Sequence, residues 1–166
     1  MEPVVRRKMR LLPGVLLILL SAASPAIAQI CTTECSGATD VMFVVDRSGS
    51  ICDDLKVYEC DNWDTVLSFM SGLVEELDVG VNGTRVGVVV YANYAYLKIS
   101  LDQYDDKDEL QDAIVNIEYD PNKRTNTSGG ILVMIEEFDT HPRKDASLIS
   151  IIITDGISNV DEEFTI

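Results

Sequence analysis

The chain has 166 residues, with 13 Lys and Arg against 28 Asp and Glu, a net charge of −15 at pH 7. That balance repels nucleic acid and anionic membrane surfaces and makes cations and basic protein surfaces its natural company. One histidine and four cysteines, without paired C-x-x-C knuckles, exclude a zinc ribbon and leave little for a histidine-based hydrolase.

Residues 1–28 read as a secretory signal. Arg6, Arg7, Lys8 and Arg10 form its basic end, Leu11 to Ala23 its apolar stretch, and Ala26-Ile27-Ala28 a small-residue cleavage site. A spanning helix needs roughly 20 apolar residues. This stretch is shorter and contains Pro13, and Pro25 follows it, so cleavage is expected and the mature chain carries no membrane span. Its removal leaves nine Lys and Arg against 27 Asp and Glu, a balance of −18, in a secreted protein.

Residues 29–39 form a short segment with Cys31 and Cys35, which pair with each other or with cysteines beyond Ile166. Val41 to Asp46 is the first strand. Cys52 and Cys60 bracket the loop after it, and in an oxidising compartment a local disulfide between them would fix the start of the next helix. Trp63, Val66, Leu67, Met70, Leu73, Val74 and Leu77 recur at three- and four-residue steps and mark that helix, with Asp61 as its cap and Gly80 after its end. Asn82-Gly83-Thr84 is a turn and a glycosylation sequon, with Asn82 the expected acceptor. Asn126-Thr127-Ser128 fits the same pattern but is expected to be unmodified.

Arg85 to Ala92 is a second strand. Ala95 to Leu101 follows after so short a connection that it can only be antiparallel, hence an edge. Leu110, Ala113, Ile114 and Ile117 mark a second helix, Ile131, Leu132, Ile135 and Phe138 a third, and Ser147 to Thr154 the last strand. Continuous apolar strands alternating with helices give an α/β fold, a mostly parallel doubly wound sheet covered on both faces. There are no repeats or low-complexity segments after the signal.

Within this frame Val41-Met-Phe-Val-Val-Asp46-Arg-Ser48-Gly-Ser50 delivers one carboxylate and two hydroxyls, at alternate positions, into a turn at the end of a buried strand. That is a hard, all-oxygen half-shell suited to Mg²⁺, Mn²⁺ or Ca²⁺. Ser147-Leu-Ile-Ser-Ile-Ile-Ile-Thr-Asp155-Gly156 repeats the pattern of an apolar run ending in Asp. Arg124-Thr125-Asn126-Thr127-Ser128 is a hydroxyl-rich turn opening a helix. Ligands of open parallel sheets sit outside the carboxyl ends of the strands, where Asp46 and Asp155 both fall.

The set DRSGS, TNT and IIITDG resembles the metal-ion-dependent adhesion site of von Willebrand factor type A domains, the family of integrin inserted domains, matrilins and type VI collagen. The resemblance implies that Asp46, Ser48, Ser50, Thr125 and Asp155 hold a divalent ion, Mg²⁺ first and Mn²⁺ or Ca²⁺ as alternatives. It also implies that an open coordination position accepts a carboxylate from an extracellular matrix or cell-surface protein, collagen-like ligands included. It covers residues 40–166, about the first two-thirds of the family domain, and implies strand order 3-2-1-4-5-6. Without the last two strands, the strand ending at Asp155 would be an exposed apolar edge.

Rival chemistries fare worse. An EF-hand loop needs Gly and Glu where Ile51 and Val57 stand. His141 lies in a His-Pro turn and reads as a solvated loop residue, so Ser48 and Ser50 lack a base. A phosphotransferase with Asp46 as nucleophile and Lys144 as phosphate clamp would carry a second Asp at position 48. The chain therefore reads as a binding module rather than an enzyme. The alternative is an acidic matrix protein that binds Ca²⁺ or mineral diffusely through its charge.

Overall fold

The computed structural model describes residues 16–18, 37–52, 60–156 and 158. Its strands are β1 (Leu16–Ile18), β2 (Thr39–Asp46), β3 (Thr84–Tyr91), β4 (Ala95–Ile99) and β5 (Ser147–Thr154), in sheet order β1-β5-β2-β3-β4. The helices are α1 (Asp61–Glu75), α2 (Lys107–Val115) and α3 (Thr127–Thr140), with a 3-10 turn at Gly49–Ile51. β2 runs parallel to β3 and β5, while β4 is antiparallel to β3, as its short connection requires. The order β4-β3-β2-β5 is the 3-2-1-4 that the family resemblance implies.

Side chains alternate across a strand, so β2 serves two cores. Val41, Phe43 and Val45 face the layer that contains Trp63, Val66, Leu67, Met70 and Val74 of α1 and Leu110 and Ile114 of α2. Met42 and Val44 face the opposite layer with Tyr91 and with Met134 of α3. Each fully buried Val or Phe contributes about 1.5–3 kcal/mol, and burial on both faces is why the strand reads as one unbroken apolar run. α3 lies close to the sheet at Gly130, where a Cβ would stand 2.7 Å from Tyr91 Cδ1 and 2.9 Å from Val44 Cγ1.

Four details depart from the sequence expectation. The cap of α1 is Cys60, whose Sγ accepts from the Trp63 N–H at 3.3 Å, and Asp61 is already helical. The helix stops at Glu75, and the Glu76 and Leu77 N–H groups close its last turn onto Leu73 and Val74, so Gly80 does not cap it. On α3, Leu132 and Ile135 are exposed, whereas Gly130, Met134 and Glu137 turn inward. His141 is a half-buried C-cap rather than a solvated loop residue, with its ring beside Glu137 at 3.1 Å and Asp102 at 3.4 Å.

The expected apolar edge is present over the first residues of β5, where Leu148 and Ile149 are exposed, and β1 pairs antiparallel with Ile152, Ile153 and Thr154. Apart from Leu16–Ile18, the expected signal and its cleavage site lie outside the described residues, as do Cys31 and Cys35. Among the described residues no helix is long and apolar enough to cross a membrane.

The N-terminal ends of the parallel strands are tied by charge. Asp40, 1% exposed, accepts from Arg85 Nε at 2.9 Å on Oδ1 and from Nη2 at 2.8 Å on Oδ2, and Arg143 Nη2 lies 2.7 Å from the same Oδ1. Arg143 also donates to the carbonyls of Thr39, Val81 and Gly83. Nearby, buried Glu137 accepts from the Ser100 hydroxyl and the Leu101 N–H, which fastens the end of α3 to the turn after β4.

Candidate metal centre

At the opposite ends of these strands three loops meet. Asp46 is the last residue of β2 and is 0% exposed. Its Oδ1 accepts from the Ser48 N–H at 2.8 Å, which folds the turn back on the carboxylate, and its Oδ2 accepts from the Thr154 hydroxyl at 2.8 Å. The hydroxyls of Ser48 and Ser50 lie 3.0 Å apart, and Ser50 Oγ donates to Asp155 Oδ1 at 3.1 Å. A continuous path of oxygens thus joins Asp46 to Asp155, which are 109 positions apart in sequence but adjacent because β2 and β5 are parallel neighbours.

The third loop lies against the same turn. Asn122 O accepts from the Gly49 N–H at 2.8 Å, and the Arg47 N–H donates to Tyr91 O at 2.9 Å. The Asn126 N–H donates to Ala92 O at 2.8 Å, and the Arg124 N–H to Asn93 Oδ1 at 2.9 Å. Thr125 is buried between these anchors. Asn126 then caps α3, its Oδ1 accepting from the Gly129 N–H at 2.9 Å, so this sequon asparagine is engaged in the fold. Asn82 stands exposed in its turn.

Burial pushes the Asp46 carboxyl above its ordinary range; the hydrogen bonds from Ser48 and Thr154 oppose this, and nearby Asp155 adds to it. Tyr91, buried below the site, is pushed up to about 12 chiefly by desolvation. Two converging carboxylates, one fully buried, with neutral hydroxyls between them, are a donor set that a hard divalent cation satisfies. Asp46, Ser48, Ser50 and Asp155 are brought together directly, and Thr125 is placed by its loop.

Thr154 and Tyr119 were not read from the sequence as parts of the site, whereas the Cys52–Cys60 disulfide was expected. Thr154 orients Asp46. Tyr119 donates from its hydroxyl to Ser48 O at 2.9 Å and packs its ring 5.3 Å from that of Trp63. Arg47, buried beneath the third loop, reaches Asp120 at 3.3 Å and lies 5.3 Å from the Tyr96 ring centre. The disulfide joins Cys52 to Cys60, with Cα atoms 5.5 Å apart, and ties the turn to the start of α1. Residues 53–59, which it encloses, lie outside the described set. Lys144, considered as a phosphate clamp, stands before β5, a whole strand of roughly 20 Å or more from Asp46. Asp102, Glu137 and His141 form the one other grouping of metal-ligand type among the described residues, also at that far end.

Comparison with known proteins gives consistent matches. The family model for the von Willebrand factor type A domain matches residues 40–165. Mouse vitrin is 29% identical over 152 residues, 87% of this chain and 22% of vitrin. The transmembrane cell adhesion receptor mua-3 of Caenorhabditis elegans is 32% identical over 139 residues, 78% of this chain and 4% of the receptor. This chain therefore spans less than a quarter of either relative. In fold it is similar to proximal thread matrix protein 1 of the mussel byssus, with a TM-score of 0.65 at 22% identity over 90% of this chain and 33% of that one. A second structure of the mussel protein, described as having a zinc-occupied MIDAS motif, gives a TM-score of 0.55 at 22% identity over 82% of this chain and 31% of that one.

Proposed function

The chain belongs to the von Willebrand factor type A family, and from that premise we propose that it is a secreted binding module, not an enzyme, that captures an extracellular protein through a divalent ion. The observation that carries this reading is the oxygen path from buried Asp46 through Ser48 and Ser50 to Asp155. Asp46, Ser48, Ser50, Thr125 and Asp155 would hold the ion, directly or through water. The bound ion supplies a Lewis-acid position that can accept a carboxylate from the partner.

The protein's own work is to prepare that position. β2 and β5 bring the two carboxylates side by side, Thr154 and the Ser48 N–H orient Asp46, and Tyr119 and Asn122 hold the turn still. Because three of the five ligands are neutral hydroxyls, an ion held there keeps enough charge to attract a third carboxylate. Oxygen donors favour Mg²⁺, with Mn²⁺ and Ca²⁺ as alternatives. The zinc in the mussel protein's motif shows that a borderline ion can occupy that protein's site.

A diffuse acidic matrix role is favoured by one observation, the excess of acidic over basic residues. The two readings separate on the secreted protein's adhesion to extracellular matrix and collagen-like surfaces. Single-site binding is abolished by Asp46→Ala, by Asp155→Ala and by EDTA, whereas binding spread over the acidic surface survives either substitution. Adhesion that persists in EDTA contradicts the metal-dependent reading.

A further inference from the structure

Nine Lys and Arg follow residue 28, and the structure shows what holds three of them: Arg85 and Arg143 are taken by Asp40, and Arg47 by Asp120. Lys98, Lys107 and Lys144 also make no ion pair among the described residues, but Lys123 and Arg124 differ from them in position. They stand adjacent and exposed in the loop that abuts the metal turn, and among the described residues neither has an ion-pair partner. Their backbone is anchored on both sides, by Asn122 O to the Gly49 N–H at 2.8 Å and by the Arg124 N–H to Asn93 Oδ1 at 2.9 Å. The nearest acid along the loop, Asp120, is engaged by Arg47 from below. Tyr94, next to the Asn93 that accepts from the Arg124 N–H, is 68% exposed.

A strongly acidic chain repels an acidic partner everywhere except where positive charge is concentrated. Here that concentration lies next to Thr125, on the rim of the proposed metal site. We propose that the ligand is an acidic protein segment carrying two carboxylates, one for the ion and a second, roughly two or three residues away in an extended chain, for Lys123 and Arg124. This rests on the metal-dependent reading above and adds to it the chemistry of the partner. The basic pair acts as a selector: a lone carboxylate uses the ion only, while a paired one uses both.

The test uses the secreted protein in Mn²⁺ and two immobilised Gly/Ser-rich peptides, one with a single Asp and one with two Asp separated by two residues. The two-Asp peptide is expected to bind up to about fivefold more tightly, and Lys123→Glu with Arg124→Glu to remove that advantage, weakening the two-Asp peptide more than the single-Asp one. Asp155→Ala should remove both. Equal affinity for the two peptides overturns the proposal, as does a charge reversal that weakens both peptides alike. Metal-independent binding of heparin, lost on charge reversal with no preference between the peptides, also overturns it and makes the rim a sulfated-glycan site. If Asp155→Ala leaves both peptides bound, the metal-dependent reading fails instead.

Discussion

Replacing Asp40 should cost more than any surface change and leave the metal site alone. Asp40 is 1% exposed, and its carboxylate is the shared partner of two guanidinium groups that are themselves largely buried. Asp40→Asn keeps the shape and removes the charge, so Arg85 and Arg143 lose their counter-ion in a place where water enters poorly. Breaking a buried pair in this way costs about 3–5 kcal/mol. The lower end is expected, because Arg85 still donates to His141 O and Arg143 to three carbonyls. With a urea slope of about 1–3 kcal/mol per molar, a loss of about 3 kcal/mol lowers the unfolding midpoint by roughly 1–3 M. Urea titration followed by Trp63 fluorescence measures this directly. Mn²⁺ affinity of the folded protein should stay unchanged, since the substitution lies at the other end of β2 from Asp46. A midpoint within about 0.5 M of wild type would refute the reasoning by showing the network to be as weak as a solvated pair.

Three further outcomes follow from the same contacts. Replacing Cys52 and Cys60 by Ser opens a loop whose ends are eight residues apart, and should lower stability by about 2–3 kcal/mol; an unchanged melting temperature against the oxidised wild type would contradict it. Gly130→Ala pushes a Cβ into Tyr91 and Val44, so calorimetry should show about 1–3 kcal/mol of destabilisation with weakened Mn²⁺ binding, because α3 carries the Thr125 loop at its start; wild-type values for both would show that α3 is free to move away. Asp46 holds its proton more tightly folded than unfolded, so in metal-free protein its contribution is greatest below its unfolded value of 3.8 and falls as pH rises from there through the raised folded value. Asp46→Asn does not titrate, so the stability difference, wild type minus variant, should fall across that window; a difference that rises with pH would reverse the assigned effect of burial.

The parallel strands were legible because burial on both faces leaves an unbroken apolar run, as in Val41 to Val45 and Val88 to Tyr91. Asp46, Ser48 and Ser50 were legible because alternate positions after such a strand converge in one turn, and Asp155 because a second apolar run ends in it. Less visible were the groups that hold them in place. Thr154, Tyr119 and Asn122 act through contacts with Asp46, Ser48 and Gly49, partners 71 to 108 positions away, and nothing local marks such pairings. α3 shows the limit of apolar pattern: Leu132 and Ile135 mark a helix but face outward, because Gly130 allows the close approach and Glu137, satisfied by Ser100 and Leu101, is accommodated inside. The cap of α1 was misplaced by one residue because Asp61 is an ordinary capping type, whereas Cys60 caps through sulfur.

Isothermal titration of metal-free protein with Mg²⁺ and Mn²⁺, comparing wild type with Asp155→Ala, bears most directly on the assigned site. Asp155 is only partly buried and makes its contact through Ser50, so the variant should fold as the wild type does. The account predicts one saturable site in the wild type and none in the variant, at equal melting temperatures without metal. Equal binding by the two proteins would contradict it.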